Sequence, residues 1–466
     1  MCLLPADEAG RILDRLAGLE QVIAPELVRQ SLLDASRGNR RSCKLTYEVT
    51  LWVVLAMGLL TDLPIRQVFK YSRRLRAQVF EDGSVLAEDS PERSSLCVAR
   101  QRLGVAPLRS LFARVVRPLA SSETRGAFYH DFRLMGIDGS VFNLPDSPAN
   151  AKAFGRPSGG DRGDGAFPQI RKLSLVELGT RVEIGLVLKR LACGEITMVL
   201  GLLRYLTSDM LLLLDRGFFS YEMWKTLNPR ARILARVKNN LILKPVQHLS
   251  DGSYLAKIYP SPYAREKDRD GILVRVIRYR LDEPARVGHD EEHVLITNLL
   301  SAEEYPSLEL IPLYHERWEH ELMYDEQKTH QDPRRPTKPA NLRSETPAGV
   351  IQEMYALSLG HFVVRSLMFA AAEAAELDPD SLSFTGCFQI LRCRLPECDG
   401  RTAESFQAWY AALLWEMQQE RVEPRRNRIN PRVIKQKVSK WPKKRPQHRG
   451  PRPPTKTFMQ SVVLTN

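Results

Sequence analysis

The sequence predicts a multidomain α+β protein: a helical N-terminal domain, a sheet-based core interrupted by a β-rich insertion, a helical C-terminal part and a basic tail. Three observations lead there. Apolar residues recur at helical spacing through the first quarter of the chain; the pattern switches to short strand-like runs near Phe132; and it becomes helical again from Leu310 to about Arg421. The 466 residues suffice for two to four domains at roughly 100–200 residues each.

The N-terminal helices are read from ILDRLAGLEQVI and YEVTLWVVLAMGLL, with basic breaks at Arg37–Lys44 and Arg73–Arg76. From Ser94, the segment SSLCVARQRLGVAPLRSLFARVVRPL offers a Ser cap, a stop at Gly104 and a second helix. Arg100, Arg102 and Arg109 are expected on its outside, as a helix-turn-helix or as the solvated face of an ordinary helix pair.

RLMGIDGSVFNL then reads as a strand, followed by a polar Gly/Pro/Asp-rich loop from Leu144 to Phe167. QIRKLSLVELG and RVEIGLVLKRLA are two more strands, a helix is expected around Thr197–Leu206, and MLLLLDRGFF carries a fourth, fully apolar strand. A β-β-β-α-β order with such a strand implies a mixed sheet covered on both faces. Between Tyr221 and Leu300, the runs RILARVKNN, SYLAKIY, GILVRVIRYRL and HVLITNLL make up the β-rich insertion. Helices follow to about Arg421, after which seven prolines in 46 residues and a run of charge leave no packed core expected.

Charge separates the body from the tail. Lys and Arg number 68 against 55 Asp and Glu, a net +13. Residues 421–466 hold 14 basic side chains and the single acid Glu423, so the remaining 54 basic and 54 acidic groups balance. A polycationic end of this kind points to nucleic acid. The longest apolar run, LWVVLAMGLL, is about half of a membrane-spanning helix, and the opening MCLLPADEAGR has no basic region ahead of an apolar core. Neither an integral membrane protein nor a secretory signal is expected. The seven cysteines are scattered, which fits reduced intracellular thiols and no structural zinc.

Two aspartates stand where a carboxylate is awkward unless used. Asp138 interrupts an apolar strand ahead of Gly139, and Asp215 ends LLLLD ahead of Arg216 and Gly217. A strand end fixes the direction of a metal-binding carboxylate while a glycine leaves room; the plain alternative is a helix cap or turn. A third signal is YHERWEHELMYDEQKTH, Tyr314–His330, read as one helix. At about 100° per residue, Tyr314, Arg317, Glu321 and Lys328 share an arc of roughly 60°. Glu316, Glu319 and Glu326 fall on the far side and are expected to be solvated, while Asp325 shares the arc and rivals Glu321. Three carboxylates at a sheet edge would bind two hard divalent cations and clamp the oxygens of an in-line phosphoryl transfer, with Arg317 and Lys328 holding phosphodiesters.

With these residues the sequence resembles the DDE transposases of bacterial insertion elements, of the insertion-element-four type. Tyr314, Arg317, Glu321 and Lys328 meet that family's Tyr-x2-Arg-x3-Glu-x6-Lys signature in full, Asp138 looks like its first Asp (DGS) and Asp215 like its second (DRGF). PANAKAFGRP, GAFPQIRK, LARVKNN, LITNLL and LRSETP are similar to the family's usual course. The resemblance implies a ribonuclease-H-like, retroviral-integrase-like catalytic core with a β-rich insertion between the second Asp and the Glu. Asp138, Asp215 and Glu321 would hold two Mg²⁺ ions, with Mn²⁺ as a substitute, for nicking and then strand transfer. Tyr314, Arg317 and Lys328 would position terminal DNA, and Trp224 or Tyr263 are candidates to receive an unstacked base. The partners implied are double-stranded DNA, as element ends and target, and a second copy in a synaptic homodimer; the location implied is the bacterial cytoplasm. The division of the chain becomes 1–125, a helical DNA-binding domain; 126–235, the first part of the core; 236–305, the insertion; 306–375, the second part with the Glu helix; 376–420, a helical region; and 421–466, the tail.

Other constellations are weaker. His289 and His293 read as a surface hairpin rather than a metal pair, and Cys387, Cys393 and Cys398 as a mostly buried thiol set. SGGDRGDG lacks the Lys and Ser/Thr of a phosphate loop. Two functional alternatives to a transposase remain: a non-catalytic DNA-binding derivative, and a metal-dependent nuclease that cuts without joining.

Overall fold

The computed structural model describes residues 13–38, 45–73, 77–79, 85–87, 90–158, 164–284, 291–332, 342–398, 402–422 and 456–464. Its principal helices are α1 (Pro25–Asp34), α2 (Tyr47–Leu59), α3 (Arg93–Leu103), α4 (Ala106–Val115), α5 (Ser307–His315), α6 (Trp318–Asp325) and α7 (Pro347–Ala374). Its principal strands are β1 (Phe132–Asn143), β2 (Gln169–Glu177), β3 (Val182–Arg190), β4 (Met210–Leu214), β5 (Arg232–Arg236), β6 (Pro245–His248), β7 (Tyr254–Ile258), β8 (Ile272–Leu281), β9 (His293–Thr297) and β10 (Val462–Leu464). The chain divides into two compact units, one of Met1–Arg125, Gly139–Leu202 and His320–Val422, the other of Gly126–Asp138, Leu203–Glu319 and Glu423–Asn466. Strand β1 runs through the boundary and contributes a half to each.

The first unit is built on two apolar helices. Thr46 caps α2, its hydroxyl accepting from the Val49 amide at 3.1 Å, and every residue from Glu48 to Leu59 is buried. A helix apolar all round belongs in a core. Its partner α7 starts with Pro347 behind a Thr346 cap and, over 28 residues, is the one described helix long and apolar enough to cross a membrane. The interior of the unit buries 89% of that apolar window. The two helices meet at Gly58, where a Cβ would stand 2.0 Å from the Ala356 carbonyl oxygen. Gly58→Ala is therefore expected to cost about 3 kcal/mol, because two backbones rather than a flexible side chain must yield. Gly38, with open space around its Cβ position, is the neutral control in urea denaturation.

In the same unit, β2 and β3 form an antiparallel hairpin from Ile170↔Arg190 to Glu177↔Val182, beside the second half of β1. Its turn holds Arg181 in the left-handed region (φ 56°), a conformation that a non-glycine keeps only where its surroundings insist. Buried Glu177 at the end of β2 accepts the Leu119 and Ala120 amides at 3.0 and 3.1 Å, which explains a carboxylate in an apolar run.

The second unit pairs the first half of β1 with β4 in parallel, and β4 with β5 likewise. Leu134–Ile137 and all of β4 are buried, as a parallel sheet covered on both faces requires. Beyond β5 the order is β9, β8, β7, β6, and the pairs β5–β9, β9–β8, β8–β7 and β7–β6 are antiparallel.

Several expectations change. The helix expected around Thr197–Leu206 is a short α-helix, Glu195–Val199, and a 3-10 turn, Leu203–Tyr205, on either side of Gly201, where a Cβ would meet Val187 at 2.8 Å. Arg100 does not face outward: its guanidinium donates to Gln352 (3.2 Å), Ser344 (3.1 Å) and the Gly349 carbonyl (3.2 Å), holding the first turns of α7, while Arg102 and Arg109 are exposed. Helix α3 is preceded by Glu92, with no side-chain cap from Ser94. His293 is no surface turn residue but the buried start of β9, stacked on Tyr279 at 4.9 Å; its supposed neighbour His289 lies outside the described residues. Of the three C-terminal thiols, Cys387 and Cys398 are buried and Cys393 is exposed; Cys2 and Cys43 lie outside the described residues.

The end of the chain is folded, contrary to the expectation drawn from its charge. Residues 423–455 lie outside the described residues, yet a capping box at Thr457 starts a short helix, and β10 pairs with β8 through Tyr279↔Leu464 and Leu281↔Val462. Phe458 is buried against the His315 ring, 3.9 Å between centroids, and Lys456 pairs with Asp282 at 2.6 Å. FMQSVVL is the one apolar stretch of the tail, and it supplies what a strand needs to dock.

Candidate active site

Strands β1 and β4 run in parallel register from Arg133↔Met210 to Ile137↔Leu214. One further step brings Asp138 level with Asp215. Neighbouring strands lie about 4.8 Å apart and residues in register point to the same face, so the two carboxylates leave one edge side by side. Both are half-buried, where the strands emerge from the core. The turn Arg216–Phe218 follows Asp215, and the Asp215 backbone carbonyl accepts from the Phe218 amide at 2.9 Å. Its carboxylate caps nothing: no side-chain cap bond is made there, and the next helix, Tyr221–Leu227, is capped by Ser220. The plain reading of Asp215 as a helix cap therefore loses its support. A Cβ at Gly139 would stand 2.4 Å from the end of the Glu195 side chain, whose carboxylate accepts from Arg171 at 2.6 Å. Glu195 carries no motif and gave no signal in the sequence.

Tyr314 belongs to this edge. Its hydroxyl donates to the Leu214 carbonyl oxygen at 3.2 Å, one residue before Asp215. Burial raises the phenol's pKa well above its ordinary value, with Arg317 lowering it and Asp215 raising it further, so all three share one electrostatic neighbourhood. Arg317 is 9% exposed, its guanidinium 5.5 Å from the centroid of the exposed Trp318 ring.

The single helix expected over Tyr314–His330 is three pieces. Helix α5 stops at His315, the Glu316 and Arg317 amides tighten onto the Leu313 and Tyr314 carbonyls, α6 resumes at Trp318, and Glu326–His330 is a π-turn. A regular 100° count therefore does not carry across. Glu319 and Glu326 are buried rather than solvated, and Glu316 is half-buried. Glu321 is half-buried on α6. Its rival Asp325 is engaged in its own turn with His330 at 3.2 Å, which holds its carboxyl below the usual range.

Lys328 donates to Ser140 at 2.7 Å and sits 5.0 Å from the Phe142 centroid. Ser140 and Phe142 share one face of the second half of β1, by alternation. Among the described residues, no three His, Cys, Asp or Glu side chains gather closely enough to hold a metal ion. The pair on the strands is what the fold places in register. Trp224, a candidate for stacking on a base, is buried at 2% exposure against Phe219, whereas Tyr263 is exposed on the short helix Pro262–Glu266.

The family model described as "Insertion element 4 transposase N-terminal" matches residues 13–113. "Transposase InsG for insertion sequence element IS4" of Escherichia coli (strain K12) is 26% identical over 434 residues, covering 92% of this chain and 93% of that protein. Over its helical N-terminal region and along most of its length, the chain is similar to the insertion-element-four transposases. "Putative transposase InsZ" of the same organism is 24% identical over 205 residues, 44% of this chain and 65% of its own length. A piggyBac transposase chain solved in a synaptic complex with hairpin DNA has 12% identity to it and a TM-score of 0.41, with 87% and 86% of the two chains covered. The family match at 13–113 falls on the helices preceding β1, away from both aspartates.

Proposed function

We propose that this transposase cleaves the ends of its insertion element and joins them to target DNA at Asp138, Asp215 and Glu321. The observation that carries the reading is the register of β1 and β4, which sets two carboxylates side by side at the end of buried parallel strands. The β2–β3 hairpin beside the second half of β1 in one unit, and the parallel strands β1, β4 and β5 in the other, support a ribonuclease-H-like core. Carboxylate oxygens from adjacent strands, with glycine beside one of them, fit a hard divalent cation. Asp138, Asp215 and Glu321 would hold two Mg²⁺ ions, which when bound supply charge for the attacking and leaving oxygens. Arg317 and Lys328 would hold terminal phosphates by charge-assisted bonds. Tyr314, anchored on the Leu214 carbonyl, would keep Arg317 beside Asp215. Double-stranded DNA, a synaptic homodimer and the bacterial cytoplasm complete the reading, with the N-terminal helices as the element-end reader.

The deciding experiment incubates the protein with paired element ends, Mg²⁺ and a second duplex. Joined products are expected. Cut ends that are never inserted would identify a nuclease, and binding without cutting would identify a non-catalytic derivative.

The tail gives a separate prediction. The folded segment 456–464 has to be kept, so the charge is best removed between Arg425 and Arg452, where twelve basic residues stand, by substitution with Gln and Ser. Weaker binding to any duplex is expected, with each lost phosphate contact taking about 0.9 off the slope of log K against log salt. An unchanged slope in a filter-binding series would mean that this stretch does not touch DNA.

A further inference from the structure

Glu326 is fully buried two residues before the proposed phosphate-holding Lys328, and it is surrounded by cations. It accepts from Arg365 Nε at 2.9 Å and Arg181 Nη1 at 3.1 Å, with His361 Nε2 at 2.9 Å. Arg181, in its left-handed backbone conformation, also pairs with Asp380 at 3.0 Å. The next residue, Gln327, is equally engaged: its amide oxygen accepts from Lys172 Nζ at 2.8 Å and its amide nitrogen donates to Glu183 at 3.2 Å. Lys172 is fully buried, pairs with Glu183 at 2.8 Å and donates to Ser358 at 2.8 Å. Two steps after Lys328, His330 meets Thr385 at 2.9 Å, and Gln331 donates to the Gly58 and Leu357 carbonyls at 2.8 and 2.9 Å.

Burying this many charges is a poor way to gain stability, since desolvation offsets most of the attraction. It is an effective way to enforce one geometry. Here the enforced geometry is a π-turn, closed by the Gln331 amide on the Glu326 carbonyl at 2.7 Å. Widened turns of this kind arise where a helix is forced off its regular register at a working residue. A regular helix would turn successive side chains about 100° apart; the widened one lets Glu326 and Gln327 both reach the buried network and delivers Lys328 to Ser140.

We infer that Glu326 and Gln327 are positioning residues, which use the Arg181–Arg365–His361 and Lys172–Glu183 groups to set Lys328 against Ser140 and Phe142 on the second half of β1. This rests on the proposed role of Lys328 in holding terminal DNA.

The test uses full-length protein, with Gln327→Met as the main variant and Gln327→Asn, which keeps a shortened amide, as the milder one should Gln327→Met fail to fold. Acylation of Lys328 by an amine-reactive ester, read by peptide mass spectrometry against exposed Lys152, is expected to rise ~5-fold in Gln327→Met and less in Gln327→Asn. End cleavage by the double variant Gln327→Met/Lys328→Ala is expected to be no slower than by Lys328→Ala alone. Unchanged labelling, or a double variant whose loss is the product of the two single losses, would overturn the inference. If Lys328→Ala cleaves normally while labelling still rises in Gln327→Met, the positioning stands and the DNA-holding role of Lys328 is what fails.

Discussion

Asp138→Ala and Asp215→Ala are each expected to lower nicking of element-end DNA by on the order of 10⁴-fold or more, with end binding within about twofold of the unaltered protein. The two carboxylates stand one register step past Ile137↔Leu214, on neighbouring parallel strands. Both would hold the same pair of cations, so either loss should remove the whole effect, and the double variant should be scarcely worse than either single one. The fold should tolerate the changes, because both side chains are half-buried at a strand end and Asp215 caps no helix. Binding is measured by gel shift and nicking with labelled ends in Mg²⁺, with chelation of the metal reproducing the variants. An Asp215→Ala protein that still nicked at near-normal rates would remove that residue from the site.

The second large effect separates Glu321 from Asp325. Glu321→Gln keeps size and hydrogen-bonding capacity but removes the charge, and is expected to cost at least ~10³-fold in cleavage while leaving binding intact. Asp325→Asn should cost less than about threefold. Asp325 is exposed and occupied with His330 in its own turn, and an exposed pair of that kind is worth at most about 1 kcal/mol. The opposite pattern, with Asp325→Asn inactive and Glu321→Gln active, would move the third carboxylate one turn along the chain. Glu326→Gln behaves differently again if it positions Lys328: it acts through the buried cluster with Arg181 and Arg365, and its loss should track that of Lys328→Ala.

What the sequence determined by itself is whatever depends on local pattern. The strands around Asp138 and Asp215 were legible because four or five successive apolar residues must be covered on both faces, and a carboxylate closing such a run marks the point where the strand leaves the core. Strands β2 and β3, the insertion strands and the apolar helix α2 follow from the same reasoning. The family was legible from spacing along one short segment, because that signature is a property of chain order and survives any change in helix geometry.

Tertiary structure alone decided where the polar side chains go. A helical wheel put Glu319 and Glu326 in solvent, since it assumes one regular helix and knows nothing of what lies opposite; the ladder tightens at Glu316–Arg317 and widens at Glu326–His330, and both carboxylates are buried. The partners that make burial of Glu326 tolerable, Arg181, His361 and Arg365, come from segments 35 to 145 residues away, beyond any local window. Arg100 turned inward for the same reason, finding carbonyl and amide acceptors on α7 some 250 residues later. The last residues folded, against the charge of the tail around them, because β8 runs on past its pairing with β7 to meet Val462–Leu464 and the neighbourhood of His315 offers a place for Phe458. A charged group's position is set by the distant groups that can neutralise it, and those meet only once the chain has folded.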